Sequence, residues 1–221
     1  MLTILNDVEV RVLGSLIEKQ VTTPEYYPLT LNSLTLACNQ KNNRNPITAF
    51  DEATVMQAVE TLREKNLAYV FYGSNSRVPK YKHVTTEILH LSPQEVALIC
   101  VLMLRGAQTV GELRERGSRL FTFVSLEEVE ETLNSLIVKD PDPLVIRIPR
   151  QPGQKETRFA HLLGGEISVD QLTEREAPKR SFTSKPADGD RISRLEHEVE
   201  TLTTEVRTLQ QQFEDFKKQF E

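Results

Sequence analysis

Apolar residues recur at helical spacing near the start of the chain: Val8, Val10, Val12, Leu13, Leu16 and Ile17, behind Asp7 as the expected N-cap. A short TTPEYYP loop separates this helix from a second, which the pattern LTLNSLTLACNQ predicts from about Thr30. Asp51 is expected to cap a third helix with Val55, Val59 and Leu62 inward, running to about Asn66. The β-forming run LAYVFY, the turn GSNSRVP and YKHV then read as a hairpin.

The plan repeats. Ser92-Pro93 opens a helix, with serine as N-cap and proline at the first helical position, and QEVALICVLMLR is apolar nearly all round. Thr109 begins a short helix that stops at Gly117, Ser125 caps LEEVEETLNSLIVK with Val129, Leu133 and Leu136 inward, and LVIRIPR, QPGQ and KETRFAHL form a second hairpin. Glu9-Val10 aligns with Glu95-Val96, Thr30 and Leu34 with Thr109 and Leu113, and Val55 and Leu62 with Val129 and Leu136. Three helices followed by a two-stranded wing, twice, is the pattern of a tandem winged helix: mainly α with small β-wings. The expected domains are residues 1–88 and 89–165.

Periodicity lapses over residues 166–190, a polar stretch with Pro178 and Pro186 that reads as a flexible linker. Over residues 191–221 it returns as a heptad repeat. Ile192, Leu195, Val199, Leu202, Val206, Leu209, Phe213, Phe216 and Phe220 follow steps of three and four throughout. β-Branched residues at a and leucine at d favour a parallel two-stranded coiled coil, so a homodimer held by this C-terminal helix is expected. The alternative is one amphipathic helix folding back on the body.

Composition sharpens this division. The 221 residues are 38% hydrophobic and 27% charged, but residues 165–221 hold only 15 apolar side chains among 57. The net charge of −5 is also concentrated there: residues 1–164 carry 18 Lys+Arg against 19 Asp+Glu, the remainder 9 against 13. A nearly neutral body permits nucleic-acid binding only through local placement of cations. No run reaches membrane-helix length, and MLTILNDVEVRV has no basic n-region, so a cytoplasmic protein without membrane attachment is expected. Cys38 and Cys100 fall within apolar helical patterns and read as buried, reduced thiols.

The segment ACNQKNNRNP (Ala37 to Pro46), with LGSLIEKQVTTPEYYPLTLN upstream and LRGAQTVGELRER in the second copy, closely resembles the YceH family of uncharacterised bacterial proteins. The resemblance covers residues 1–165 and extends more loosely to the tail. It implies a tandem winged-helix fold and supplies no activity or catalytic residues to carry over.

Chemistry by inventory is sparse. His83, His90, His161 and His197 are scattered, none at ligand spacing with Cys, Asp or Glu, and nucleophile-elbow and phosphate-loop motifs are absent. No enzymatic activity, metal or cofactor is expected. DNA binding is the usual work of a winged helix, its third helix entering the major groove and its wing touching backbone or minor groove. In the first copy the candidates are Lys41, Asn42, Asn43 and Arg44 ahead of the third helix, Gln57 and Thr61 on it, and Asn75, Arg77, Lys80 and Lys82 on the wing. The Asn-rich loop reads equally as a turn whose amides bond local backbone. The second copy's third helix carries Glu127, Glu128, Glu130 and Glu131, which repel phosphate. Two functions follow: a dimeric, regulator-like protein that binds double-stranded DNA, or a scaffold whose winged helices dock an unidentified protein.

Overall fold

The local rules for starting a helix account for most element boundaries. The computed structural model of the chain describes residues 4–72, 78–150 and 156–165. The first copy runs α1 (Asp7–Thr22), a single 3₁₀ turn at Pro24–Tyr26, β1 (Leu29–Thr30), α2 (Leu31–Cys38), α3 (Glu52–Glu64), β2 (Ala68–Phe71) and β3 (Lys80–His83). A four-residue helix, α4 (Thr85–Ile88), leads to the second: α5 (Pro93–Arg105), β4 (Gln108–Thr109), α6 (Val110–Gly117), α7 (Leu126–Ile137), β5 (Val145–Ile148) and β6 (Arg158–His161). The described residues are thus mainly helical, with two small antiparallel sheets ordered β1-β3-β2 and β4-β6-β5.

Thr30, Asp51, Ser92, Thr109 and Ser125 each cap a helix by accepting a hydrogen bond from the backbone three residues on. The first helix departs from expectation: its cap is Asn6, not Asp7. Asn6 Oδ1 accepts from Glu9 N at 2.9 Å while Glu9 returns the bond to Asn6 N at 2.7 Å. A capping box needs the acid three residues beyond the cap, a spacing that Asn6 satisfies and Asp7, facing Val10, does not. Each sheet also gains a third strand that the hairpin pattern lacks. Thr30 caps α2 with its side chain, and its cap backbone is extended (φ −70°, ψ 164°), so the same residue pairs with Lys80. Thr109 does likewise with Arg158.

Glu9 and Glu95 illustrate the internal repeat most closely. Each closes a capping box at the third position of its copy's first helix, and each accepts a lysine arriving from the end of that copy's third helix. Lys65 Nζ donates to Glu9 Oε2 at 2.7 Å, and Lys139 Nζ to Glu95 Oε2 at 2.8 Å.

The two copies share one core. Val12, Leu13, Leu16, Leu34, Val55 and Leu62 join Leu98, Ile99, Leu102, Leu113, Val129 and Leu136 in a continuous apolar cluster. α5 is buried from Glu95 to Leu104, as its all-round apolar pattern predicts. α1 and α5 meet at matching positions: under the Glu9–Glu95 alignment Gly14 corresponds to Cys100, and Cys100 Sγ lies 3.5 Å from the Gly14 carbonyl. A Cβ on Gly14 would stand 3.0 Å from the Leu104 side chain and 3.2 Å from Met103 Cβ, so the missing side chain sets the approach of the helices. Cys38 and Cys100 are buried free thiols; burial pushes Cys38 up to about 11 and Cys100 also upward, so both stay protonated.

Candidate nucleic-acid interface

The Asn-rich loop does not present its functional groups to solvent as a unit. Arg44 is a correction: its side chain is wholly buried, and its Nη2 donates to Glu18 Oε2 at 2.6 Å and to the Ala37 carbonyl at 2.8 Å. Arg44 also donates from Nη1 to Glu18 Oε1 at 3.2 Å, so both oxygens of this α1 carboxylate are engaged and the arginine is a structural partner rather than a phosphate ligand. Asn43 sits in the left-handed region (φ 61°), half-buried, and its Oδ1 accepts from Arg105 Nη2. Arg11, also buried, donates to the Cys38 carbonyl at 3.1 Å and the Pro46 carbonyl at 2.6 Å. Asn39 pairs reciprocally with the Phe50 backbone, and Asn45 N donates to the Leu104 carbonyl at 2.9 Å. Only Asn39 follows the local-turn reading of this motif; Asn43 and Asn45 bond the second copy, and Arg44 bonds α1 as well as the nearby Ala37 carbonyl. Lys41 and Asn42 remain exposed.

The third helix offers little to a polyanion. Gln57 is exposed, but the Thr61 hydroxyl donates back to the Gln57 and Ala58 carbonyls. Arg63 is held by Glu60 at 2.5 Å, leaving Glu52 and Glu64 as exposed charges. α7 is acidic too, with Glu127, Glu130 and Glu131 exposed.

A different surface gathers basic and aromatic groups. Cross-strand partners project from the same side of a sheet. In the first sheet Tyr69 pairs with Lys82 and Phe71 with Lys80, while Ala68, Val70, Tyr81 and His83 alternate to the inner side. The outer face therefore carries Tyr69 and Phe71, 48% and 43% exposed, opposite Lys82 and Lys80, which lie half-buried along the strand. Neither lysine forms an ion pair among the described residues. Lys80 and Lys82 are legible in the sequence by their charge, whereas the signal for Tyr69 and Phe71 is only the alternation of LAYVFY, which makes them the outward set. Asn75 and Arg77 lie outside the described residues, as do the linker over 166–190 and all nine proposed coil positions.

The second sheet lacks such a face. At matching register stand Ile146, Ile148, Arg158 and Ala160, of which Ile148 and Ala160 are buried. Arg158 is held by Glu112 at 2.9 Å and the Ala107 carbonyl at 3.0 Å. Arg147 lies over the Phe159 ring at 5.4 Å, and Arg114 donates to the Val124 carbonyl.

Residues 5–154 match the family model described as "Protein of unknown function, DUF480". A UPF0502 protein of Geobacter sulfurreducens is 50% identical over 218 residues, 99% of each chain. A UPF0502 protein of Opitutus terrae is 52% identical over 201 residues, 91% of this chain and 84% of that one. The chain belongs to the DUF480/UPF0502 family. This agrees with the uncharacterised bacterial family that the Ala37–Pro46 motif resembles. The UPF0502 match extends over the buried Arg44–Glu18 pair, both sheets and the α1–α5 contact. A relative in Aliivibrio fischeri, 46% identical over 210 residues, covers 93% of this UPF0502 chain. No helix among the described residues is long and apolar enough to cross a membrane.

Proposed function

We propose that each copy is a winged helix and that the protein is a non-enzymatic, regulator-like DNA-binding protein whose first copy contacts the duplex through its sheet. The observation that carries this reading is the outer face of the first sheet, where two lysines without ion pairs among the described residues stand opposite two exposed aromatic rings. Lysine ammonium groups neutralise phosphates, and aromatic side chains pack against sugars and base edges in the minor groove. The acidic third helices favour wing-led docking over insertion of α3 or α7 into the major groove. Lys41 and Asn42, exposed on the α2–α3 loop, add further backbone contacts. The heptad pattern of residues 192–220 supports pairing of two chains, which would double the contacts on one duplex. No cofactor or metal is required.

Titration of the full chain with a fluorescent duplex at several salt concentrations tests this. Each lysine–phosphate contact contributes a slope of about −0.9 in log affinity against log salt, so replacing Lys80 and Lys82 with alanine should flatten it by about two units. Phe71→Ala should weaken binding with little change in slope. Unchanged affinity in both the double lysine variant and Phe71→Ala would exclude this face. A second reading is favoured by one observation: Glu127, Glu130 and Glu131 are exposed beside the exposed apolar Leu126 and Val138 on and just beyond α7. That mixture suits a basic protein partner. Under the scaffold reading, changing the three glutamates to glutamine abolishes partner capture while duplex affinity is absent from the start.

A further inference from the structure

Within the described unit, the ends of α1, α5 and α6 converge on a small cleft beside the Asn-rich loop. It is open to solvent, and is lined by Glu18, Asn43, Arg105, Arg116 and Arg119 together with Cys100 and Leu104. Three of the lining residues are cations. The sole lining acid is Glu18, and its carboxylate is already taken by Arg44. Arg105 is bonded to a neutral amide, Asn43 Oδ1. Arg116 shares the Glu112 carboxylate with Arg158, at 3.2 and 2.9 Å. Arg119 pairs with no acid among the described residues. Positive charge is therefore in surplus around a concave, partly desolvated space.

Helix dipoles account for part of this. Arg105 and Arg116 stand in the last turns of α5 and α6, where a cation offsets the partial negative charge of the helix end. Arg119 lies beyond the end of α6 and still faces the cleft. The crowding also has a cost: burial, followed by the charges of Arg116 and Arg44, lowers the proton affinity of Arg105. An anion between these groups would relieve that repulsion, and guanidinium forks match the paired oxygens of an oxyanion.

We propose that this cleft binds a small, free phosphate-type oxyanion, held by Arg105, Arg116 and Arg119. Bound there, the anion would touch both copies, since Asn43 belongs to the first and the arginines to the second.

Calorimetric titration of the full chain with inorganic phosphate, against chloride at matched ionic strength, tests the proposal. A saturable heat with one site per chain is expected. Arg119→Gln, a change at an exposed residue outside any helix, should weaken it roughly tenfold, and Arg105→Gln by at least as much. Circular dichroism verifies that both variants stay folded, and Lys80→Ala with Lys82→Ala should leave the phosphate heat unchanged. Absence of a saturable heat, or its persistence in the Arg105→Gln/Arg119→Gln double variant, would overturn the site and leave the arginines as helix-end counter-charges only. Loss of the phosphate heat after saturation with a DNA duplex would overturn the free-anion assignment. Because the duplex titration reads the sheet lysines and the phosphate titration reads the cleft, either can fail alone.

Discussion

The two copies close the same gap, between second and third helix, by opposite chemistry. In the first copy residues 39–51 are pinned by buried ions and amides: Arg44 on Glu18, Arg11 on the Cys38 and Pro46 carbonyls, and Asn39 on Phe50. In the second, residues 118–125 are centred on aromatic packing, with hydrogen bonds to neighbours in the same copy at Val124: Phe123 is buried, its ring lies against Gly117, and Phe121 meets it edge-on at 4.9 Å. Aromatic burial is insensitive to direction and anchors the second connection within its own copy. The polar solution is directional, and it reaches across the molecule, since Asn45 bonds the Leu104 carbonyl and Asn43 accepts from Arg105. A connection that must register one copy against the other uses hydrogen bonds; one that only covers a core uses rings.

Removing the anchor of each connection should have the largest effect. Arg44→Ala leaves Glu18 buried and unpaired, which costs about 3–5 kcal/mol. Phe123→Ala opens a cavity at a comparable cost of about 3–5 kcal/mol. The two differ in rescue: replacing Glu18 and Arg44 together by leucine should recover most of the loss in denaturant unfolding, whereas nothing polar rescues Phe123→Ala. A double variant as unstable as Arg44→Ala would show that the pair does more than satisfy itself.

Acidification should separate the copies next. His83 is buried on β3 with both ring nitrogens unpartnered among the described residues, edge-on to Tyr27 at 6.2 Å, and burial holds it down to about 4 against the attraction of Glu87. Between pH 6.5 and 4 the unfolded chain binds a proton that the folded chain refuses, so stability is complete above that window and falls as pH drops through it. The loss amounts to roughly 3 kcal/mol. His83→Phe should flatten the stability–pH curve over that interval. The same substitution at His161, its counterpart in register, measures how far the effect belongs to the first copy. From about pH 4.5 downward, Glu9 and Glu95, whose burial is outweighed by their lysines and capping bonds so that both stay under the ordinary carboxylate value, add further acid loss in each copy.

The smallest effect concerns the contact that the copies share. Gly14→Val puts methyl groups where Leu104 and Met103 already stand, at a cost of about 1–3 kcal/mol. Chemical denaturation should show one weakened transition rather than two, because both copies draw on the same core.

The skeleton was legible in the sequence where it rests on local rules. Paired positions such as Thr30 and Thr109 cap matching helices, and Leu34 and Leu113, or Val55 and Val129, are fully buried as aligned. The candidate surface was legible in half. Lys80 and Lys82 stand out by charge, while Tyr69 and Phe71 were absorbed into a generic β pattern until register placed them opposite the lysines. The burial of Arg44 is not legible locally because its partner lies 26 residues away. Arg11, Ser15 and Glu18 form a polar stripe on α1, and residues 38–48 fold over it. Polarity predicts exposure only until a distant segment supplies the matching charge.

The Gly14–Cys100 contact has a consequence for the continuity of the chain. Contact between equivalent positions of two like helices is what a two-fold axis produces in a symmetric dimer, and here it joins two repeats of one polypeptide. The connector between β3 and α5 then restrains partners that already recognise each other. A chain cut within residues 84–92 would elute as one particle, and either half made alone would carry an uncovered sticky face in search of a second.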